Sequence, residues 1–219
     1  MLVAAAVCPS TPLVALGLPQ LRAACHTAIA ALLESRPDTL VVVGGAETTR
    51  AYEAGAAGTL RPWGLDRTAG RGEPVLPLSL TVGRLLLDEA GGAPEGLQSV
   101  AFDAGGEQCQ ALGERLGQGA GRVALLVMAD GSACLGPGAP GRHDAAAGPY
   151  EELIAEAVAA GDPAALAALD PGEADRLWVS GRAALQVLAG AAGTRTYRGS
   201  LLAASAPYGV GYLAGLWLA

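Results

Sequence analysis

LVAAAVCPSTPLVAL, from Leu2 to Leu16, decides the fold. Leu2 to Val7 is an unbroken apolar run rather than an alternation. Such a run predicts a strand covered on both faces. Pro9-Ser-Thr-Pro12 then predicts a tight turn. Beyond it, Leu21, Cys25, Ala28 and Leu32 recur at helical spacing, which predicts a helix over Leu21–Leu33. Pro37-Asp38 closes that helix. TLVVVGG, Thr39–Gly45, is apolar and β-branched and predicts the second strand. A β-α-β opening implies a parallel pair joined by a right-handed crossover. Open sheets of this kind bind ligands at the carboxyl ends of their strands. A turn holding Cys8, Ser10 and Thr11 at such an end is therefore a candidate site.

The rest of the chain extends the pattern. Glu47 to Pro77 is irregular and glycine-rich, and reads as a long functional loop or an insertion with short strands. Leu80–Gly92 predicts a helix ended by glycine, Leu97–Asp103 a strand, Glu107–Leu116 a helix, and Arg122–Asp130 a strong central strand. A glycine- and proline-rich loop, Asp130–Gly141, leaves that strand. Tyr150, Leu153, Ile154, Ala157 and Val158 mark an amphipathic helix. Asp162-Pro163 and Asp170-Pro171 each read as an N-cap before a first-turn proline, with Glu173 forming a capping box. Leu177, Ala184, Leu185 and Leu188 continue a helical stripe. Thr194–Ala204 and Val210–Leu218 read as two strands, antiparallel because only the short SAPYG turn joins them. The expected fold is α/β: a single domain over residues 1–219, with a mixed central sheet, helices on both faces and a C-terminal antiparallel hairpin.

Composition narrows the function. The chain is 51% apolar but only 4% aromatic, so alanine and glycine must let helices pack close to the sheet. A net charge of −7 argues against nucleic acid and anionic membranes as partners. Every cation is arginine, which removes Schiff-base chemistry and a P-loop lysine. Cys8, Cys25, Cys109 and Cys134 form no CxxC pair. Reduced, buried thiols in a cytoplasmic protein are the expectation. The start MLVAAAVC resembles a lipoprotein cleavage box, but no positive charge precedes Arg22, so it reads as the first strand. GYLAGLWLA at the end is too short to span a bilayer.

Three loops should converge at the carboxyl edge: Cys8–Thr11, Gly44–Thr48 and Asp130–Cys134. The hairpin turn brings Tyr208 towards them. Ser10, Glu47, Asp130, Ser132 and His143 are the catalytic candidates, and Thr11, Thr48 and Tyr208 the substrate-binding ones. Cys8, Glu47, Asp130 and His143 make a conceivable mixed-donor set for iron or zinc. Gly44-Gly45 and Gly136–Gly138 could approach a phosphate, although plain turns explain them equally well. A serine nucleophile lacks the G-x-S-x-G elbow. His26 reads as a helix-surface or packing residue.

The order of these segments resembles the class III extradiol ring-cleavage dioxygenase B-subunit superfamily, which includes the Memo-like proteins. In that family the first strand ends in a motif like P-H-x-P. CPSTPLV fits that frame with Ser10 at the histidine position. VVVGGAETT fits the second strand, with Gly45, Ala46 and Glu47 where a second metal-binding histidine falls. MADGSACL fits the segment leading to the acid/base histidine, with Ser132 retained and Ala133 at that position. APG…HD…Y, GDPAAL, SGRAALQVL and APYGVGYLAGLW are also family-like. The resemblance implies an α/β fold, an aromatic diol substrate, a non-haem Fe(II) (or Zn(II), should the site survive in altered form) and a homodimer. The replaced histidines imply a chain without that metal centre. Three readings follow: a divergent homologue that is no standard ring-cleaving enzyme, a divergent enzyme using the same cleft on a small molecule, or a non-catalytic binding or assembly protein.

Overall fold

A computed structural model describes residues 1–119 and 121–219. Four parallel strands form the centre of a seven-stranded sheet: β1 (Leu2–Cys8), β2 (Thr39–Ala46), β6 (Gly96–Ala101) and β7 (Val123–Met128). Three further strands complete it: β3 (Arg50–Tyr52), β8 (Arg198–Ser205) and β9 (Tyr212–Leu218). The order is β3-β6-β2-β7-β1-β9-β8. β3 pairs antiparallel with β6, and β9 pairs antiparallel with both β1 and β8.

Alternation along each buried strand divides the core. Val123, Leu125 and Val127 of β7 face one layer, and Ala124, Leu126 and Met128 face the other. β1 does the same, with Ala5 and Val7 on one side and Ala4, Ala6 and Cys8 on the other. The second layer holds α1 (Leu13–Leu16), α2 (Pro19–Glu34) and α3 (Leu78–Glu89). The first holds α4 (Gly106–Gly117), α5 (Ala147–Ala160), α6 (Pro163–Ala167), α7 (Pro171–Arg176) and α8 (Arg182–Ala192). Glycine lets α4 and α8 meet backbone to backbone: a Cβ on Gly113 would lie 2.0 Å from the Val187 carbonyl oxygen.

The mixed sheet, its two helical layers and the C-terminal hairpin agree with the sequence expectation. Several details differ. The first long helix begins at Pro19, and its stripe of Leu21, Cys25, Ala28 and Leu32 is buried. The Glu47–Pro77 stretch contains a small antiparallel pair, β4 (Gly58–Thr59) and β5 (Thr68–Ala69), and β3 joins the main sheet. The hairpin strands begin later than expected because Thr196 and Tyr197 lie outside the ladder and Pro207–Gly209 form a 3-10 turn. Asp162 and Asp170 cap α6 and α7 through their carboxylates. The capping box is only half made, since Glu173 turns its carboxylate to Arg176 instead of back to the cap. The stripe through Leu177 to Leu188 is broken by a turn at Trp178–Gly181 that separates α7 from α8. Among the described residues no helix is long and apolar enough to cross a membrane.

Candidate functional site

Asp130 is the centre of the carboxyl edge. It follows β7, whose extension is tied to β1 by the Ala129 N–H donating to the Cys8 carbonyl at 2.8 Å. The parallel pairing of β1 with β7 therefore brings the PSTP turn over Asp130. Ser10 donates twice to the carboxylate: its N–H to Oδ1 at 2.8 Å and its hydroxyl to Oδ2 at 2.8 Å. The Thr11 amide faces the same group. Burial outweighs these donors and pushes the carboxyl up to about 6. A carboxyl poised there exchanges its proton near neutral pH, which suits a general acid or base.

A second carboxylate supports the loop after Asp130. Glu151 projects from α5 and accepts the Ser132 N–H at 2.9 Å. It fits only because Gly131 and Gly211 lack side chains: a Cβ on Gly131 would lie 2.0 Å, and one on Gly211 2.2 Å, from a carboxylate oxygen. Burial raises its carboxyl above the usual range, the Ser132 amide opposes this, and the nearby Asp130 charge adds to the rise. Ser132 itself is fully buried. Its hydroxyl donates to the Leu177 carbonyl at 2.7 Å and accepts from the Cys134 N–H at 3.1 Å. It is thus a tie between loop and α7.

A cavity of about 800 Å³ opens beside Asp130, on the layer that holds α7 and α8. Phe102, Asp103, Asp130, Asp175, Trp178 and Arg182 contribute to its wall. Phe102 and Asp103 continue β6, Trp178 belongs to the turn after α7, and Arg182 opens α8. The turn is pinned to the sheet by the Gly181 N–H donating to the Asp130 carbonyl at 2.9 Å. Arg182 is only 3% exposed. Its guanidinium donates to the Ala104 and Phe102 carbonyls and to Gln186 Oε1. Its Nε–H is buried with no acceptor.

The sequence candidates divide. Ser10, Thr11 and Asp130 meet, and Thr11 also sits against the Tyr212 hydroxyl. Ser132, two residues after Asp130, is a buried structural tie instead. Cys8 turns into the opposite layer, where the Cys25 thiol and burial hold its own thiol well above the usual range. Glu47 and Thr48 are exposed, because the chain leaves β2 towards the sheet edge. There Ser99 Oγ donates to the Thr48 carbonyl and the Ala101 N–H to Thr49 Oγ1. His143 is exposed on the loop before α5, next to Asp144, which pairs with Arg176. Tyr208 is 68% exposed in the hairpin turn. None of Glu47, Thr48, His143 and Tyr208 contributes to the wall around Asp130. Sequence reasoning missed Phe102, Asp103, Glu151, Asp175, Trp178 and Arg182. The signal for the first two was present, since a strand ending in Phe-Asp belongs to the same carboxyl edge.

The donors do not fit a two-histidine, one-carboxylate iron site. Ala133 and Gly45 have no ligating atom, both Ser10 donors are spent on Asp130, and Cys8 faces the other layer. Among the described residues no three His, Cys, Asp or Glu side chains gather as a metal-binding group.

No family model matches the chain, and no curated protein does. Among solved structures, an uncharacterized protein of Escherichia coli K12, JW3007, superposes with a TM-score of 0.57. The match covers 99% of this chain and 100% of that one at 12% identity. That likeness establishes the class, a mixed α/β sheet between two helical layers, and speaks for fold alone.

Proposed function

We propose that the chain is a divergent relative of the class III extradiol dioxygenases that binds a small, partly apolar molecule in the cleft at Asp130, without the family's iron centre. The observation that carries this reading is Asp130, which accepts both Ser10 donors and itself contributes to the wall of the 800 Å³ cavity. Ser10 stands where the resemblance places a metal-binding histidine, and it serves the carboxylate instead. The cavity lies at the carboxyl edge of a parallel sheet, where such folds bind ligands. Asp130 is the group in it best suited to move a proton, with Glu151 holding the loop that aims it. The non-catalytic assembly reading has no comparable support, because the cleft remains open instead of being filled by side chains.

Two measurements test the proposal. Benzyl alcohol, benzoate and catechol are titrated into the isotope-labelled chain, and shifts at Phe102, Gly131 and Trp178 are expected for at least one of them. No shift with any of the three overturns the cleft as a binding site. Metal analysis after Fe(II) loading checks the other half. Stoichiometric uptake with ring opening of catechol would restore the iron enzyme.

A further inference from the structure

The wall of the cleft is unevenly charged. Asp103, Asp130 and Asp175 reach it from the ends of β6 and β7 and from α7. Asp103 and Asp175 are exposed and make no ion pair among the described residues. Arg182 is the cation of the wall, and its terminal nitrogens are spent on the Ala104 and Phe102 carbonyls and Gln186. Its Nε–H remains, buried and without an acceptor. A buried donor left so is destabilising, and an acceptor oxygen on a bound molecule would offset that.

Aromatic placement is the independent observation. The chain has one phenylalanine and three tryptophans, and Phe102 and Trp178 both stand at this cleft. They are 42% and 58% exposed, so neither fills the core. Trp178 occupies a Schellman turn: the Val179 N–H donates to the Ala174 carbonyl at 2.8 Å and the Trp178 N–H to the Asp175 carbonyl at 3.1 Å. That position normally takes glycine, yet here a tryptophan holds φ at 54°. Exposed rings beside carboxylates attract a cation with an apolar shell.

We propose that the cleft selects a small organic ammonium ion, its charge facing Asp103, Asp130 and Asp175, its alkyl groups against Phe102 and Trp178, and an oxygen supplying the acceptor that Arg182 lacks. This rests on the reading of the cleft as a binding site and adds the charge and chemistry of its ligand.

Choline, 3,3-dimethylbutan-1-ol and ethyltrimethylammonium separate the parts. The first has charge and oxygen, the second the same shape and oxygen without charge, the third the charge without oxygen. Titration of the full chain, followed at Phe102, Asp103 and Trp178, is expected to give choline at least ~10-fold tighter binding than its neutral isostere. Ethyltrimethylammonium should bind several-fold more weakly than choline. Asp103→Asn with Asp175→Asn, both on exposed positions, should erase most of the charge preference. Equal binding of choline and the neutral alcohol overturns the ammonium assignment and leaves the cleft intact. Equal binding of the two ammonium ions overturns the role given to Arg182. Silence towards all three overturns the whole inference. Whether the cleft binds anything is read separately from the benzyl alcohol, benzoate and catechol titrations.

Discussion

Two adjacent glycines near the end of β2, Gly44 and Gly45, face opposite layers of the molecule. A Cβ on Gly44 would lie 2.5 Å from Ser79 Oγ and 3.3 Å from the Met128 Cβ. Ser79 is buried and donates to the Gly45 carbonyl at 2.7 Å. On that side α3 is pressed on the strand ends and the edge is sealed. A Cβ on Gly45 would meet the Phe102 ring at 2.5 Å, a ring that borders an open cavity. The strands are the same on both sides. What differs is the segment laid over them: a long helix directly on the sheet, or the turn between α7 and α8, which meets the strand ends through Ser180 and Gly181 and leaves the cavity beside them. A cleft exists on one face only because one covering element is broken there.

The largest effect expected concerns the floor of the open side. The Asp130 carboxyl is raised from 3.8 to about 6. The folded state thus binds its proton more tightly than the unfolded chain does. The stability this proton lends is complete below about pH 4 and is lost as pH rises through about 6. At 1.36 kcal/mol per unit the loss is up to about 3 kcal/mol. Glu151, also raised, changes stability in the same direction. Asp130→Asn should flatten the fall seen by chemical denaturation between about pH 4 and 7. An unchanged slope would mean that the carboxylate is solvated and the floor is not what burial makes it.

The comparison of faces is broken or sharpened by a matched pair of variants. Gly44→Ala is expected to cost about 2–3 kcal/mol, because Ser79 and Met128 have nowhere to go. Gly45→Ala should cost less, about 1–2 kcal/mol, because the Phe102 ring can swing into the cavity and only the Ser180 carbonyl, 3.0 Å from the new Cβ, has to give, but it should narrow the cleft and weaken ligand binding. Equal melting temperatures for the two would erase the distinction between sealed and open sides. Ser132→Ala comes next, at about 1–2 kcal/mol, since it strips the Cys134 N–H and the Leu177 carbonyl of their buried partner. The smallest change is expected from Trp178→Gly. It relieves a positive φ but gains chain entropy when unfolded, so stability should move by under about 1 kcal/mol. Ligand-induced shifts at Phe102 and Asp103 should nevertheless fall, which separates a binding role from a structural one.

Local chemistry made much of this legible. Leu2–Val7 and Arg122–Asp130 announce buried parallel strands because both faces must be apolar there. Asp162 and Asp170 announce helix starts because a carboxylate satisfies free N–H groups at the first turn. Four widely spaced cysteines with no CxxC pair announce buried thiols, and all four are buried and free. The meeting of Ser10 with Asp130 was half legible: each stood at a strand end, and the parallel opening made their approach reasonable. Glu47 and Thr48 stood at a strand end too, but β3 draws them to the sheet edge.

Sequence periodicity could therefore determine which segments form strands and helices, and which of their faces are apolar, because those preferences are set by neighbours along the chain. Only tertiary structure decided that β6 lies beyond β2, that Phe102 and Asp103 share a cleft with Trp178, and that Arg182 spends its guanidinium on the loop that follows β6. Those relations depend on which strands pair and where a helix breaks. Such choices are settled by the packing of the whole core, and no short stretch of residues contains them.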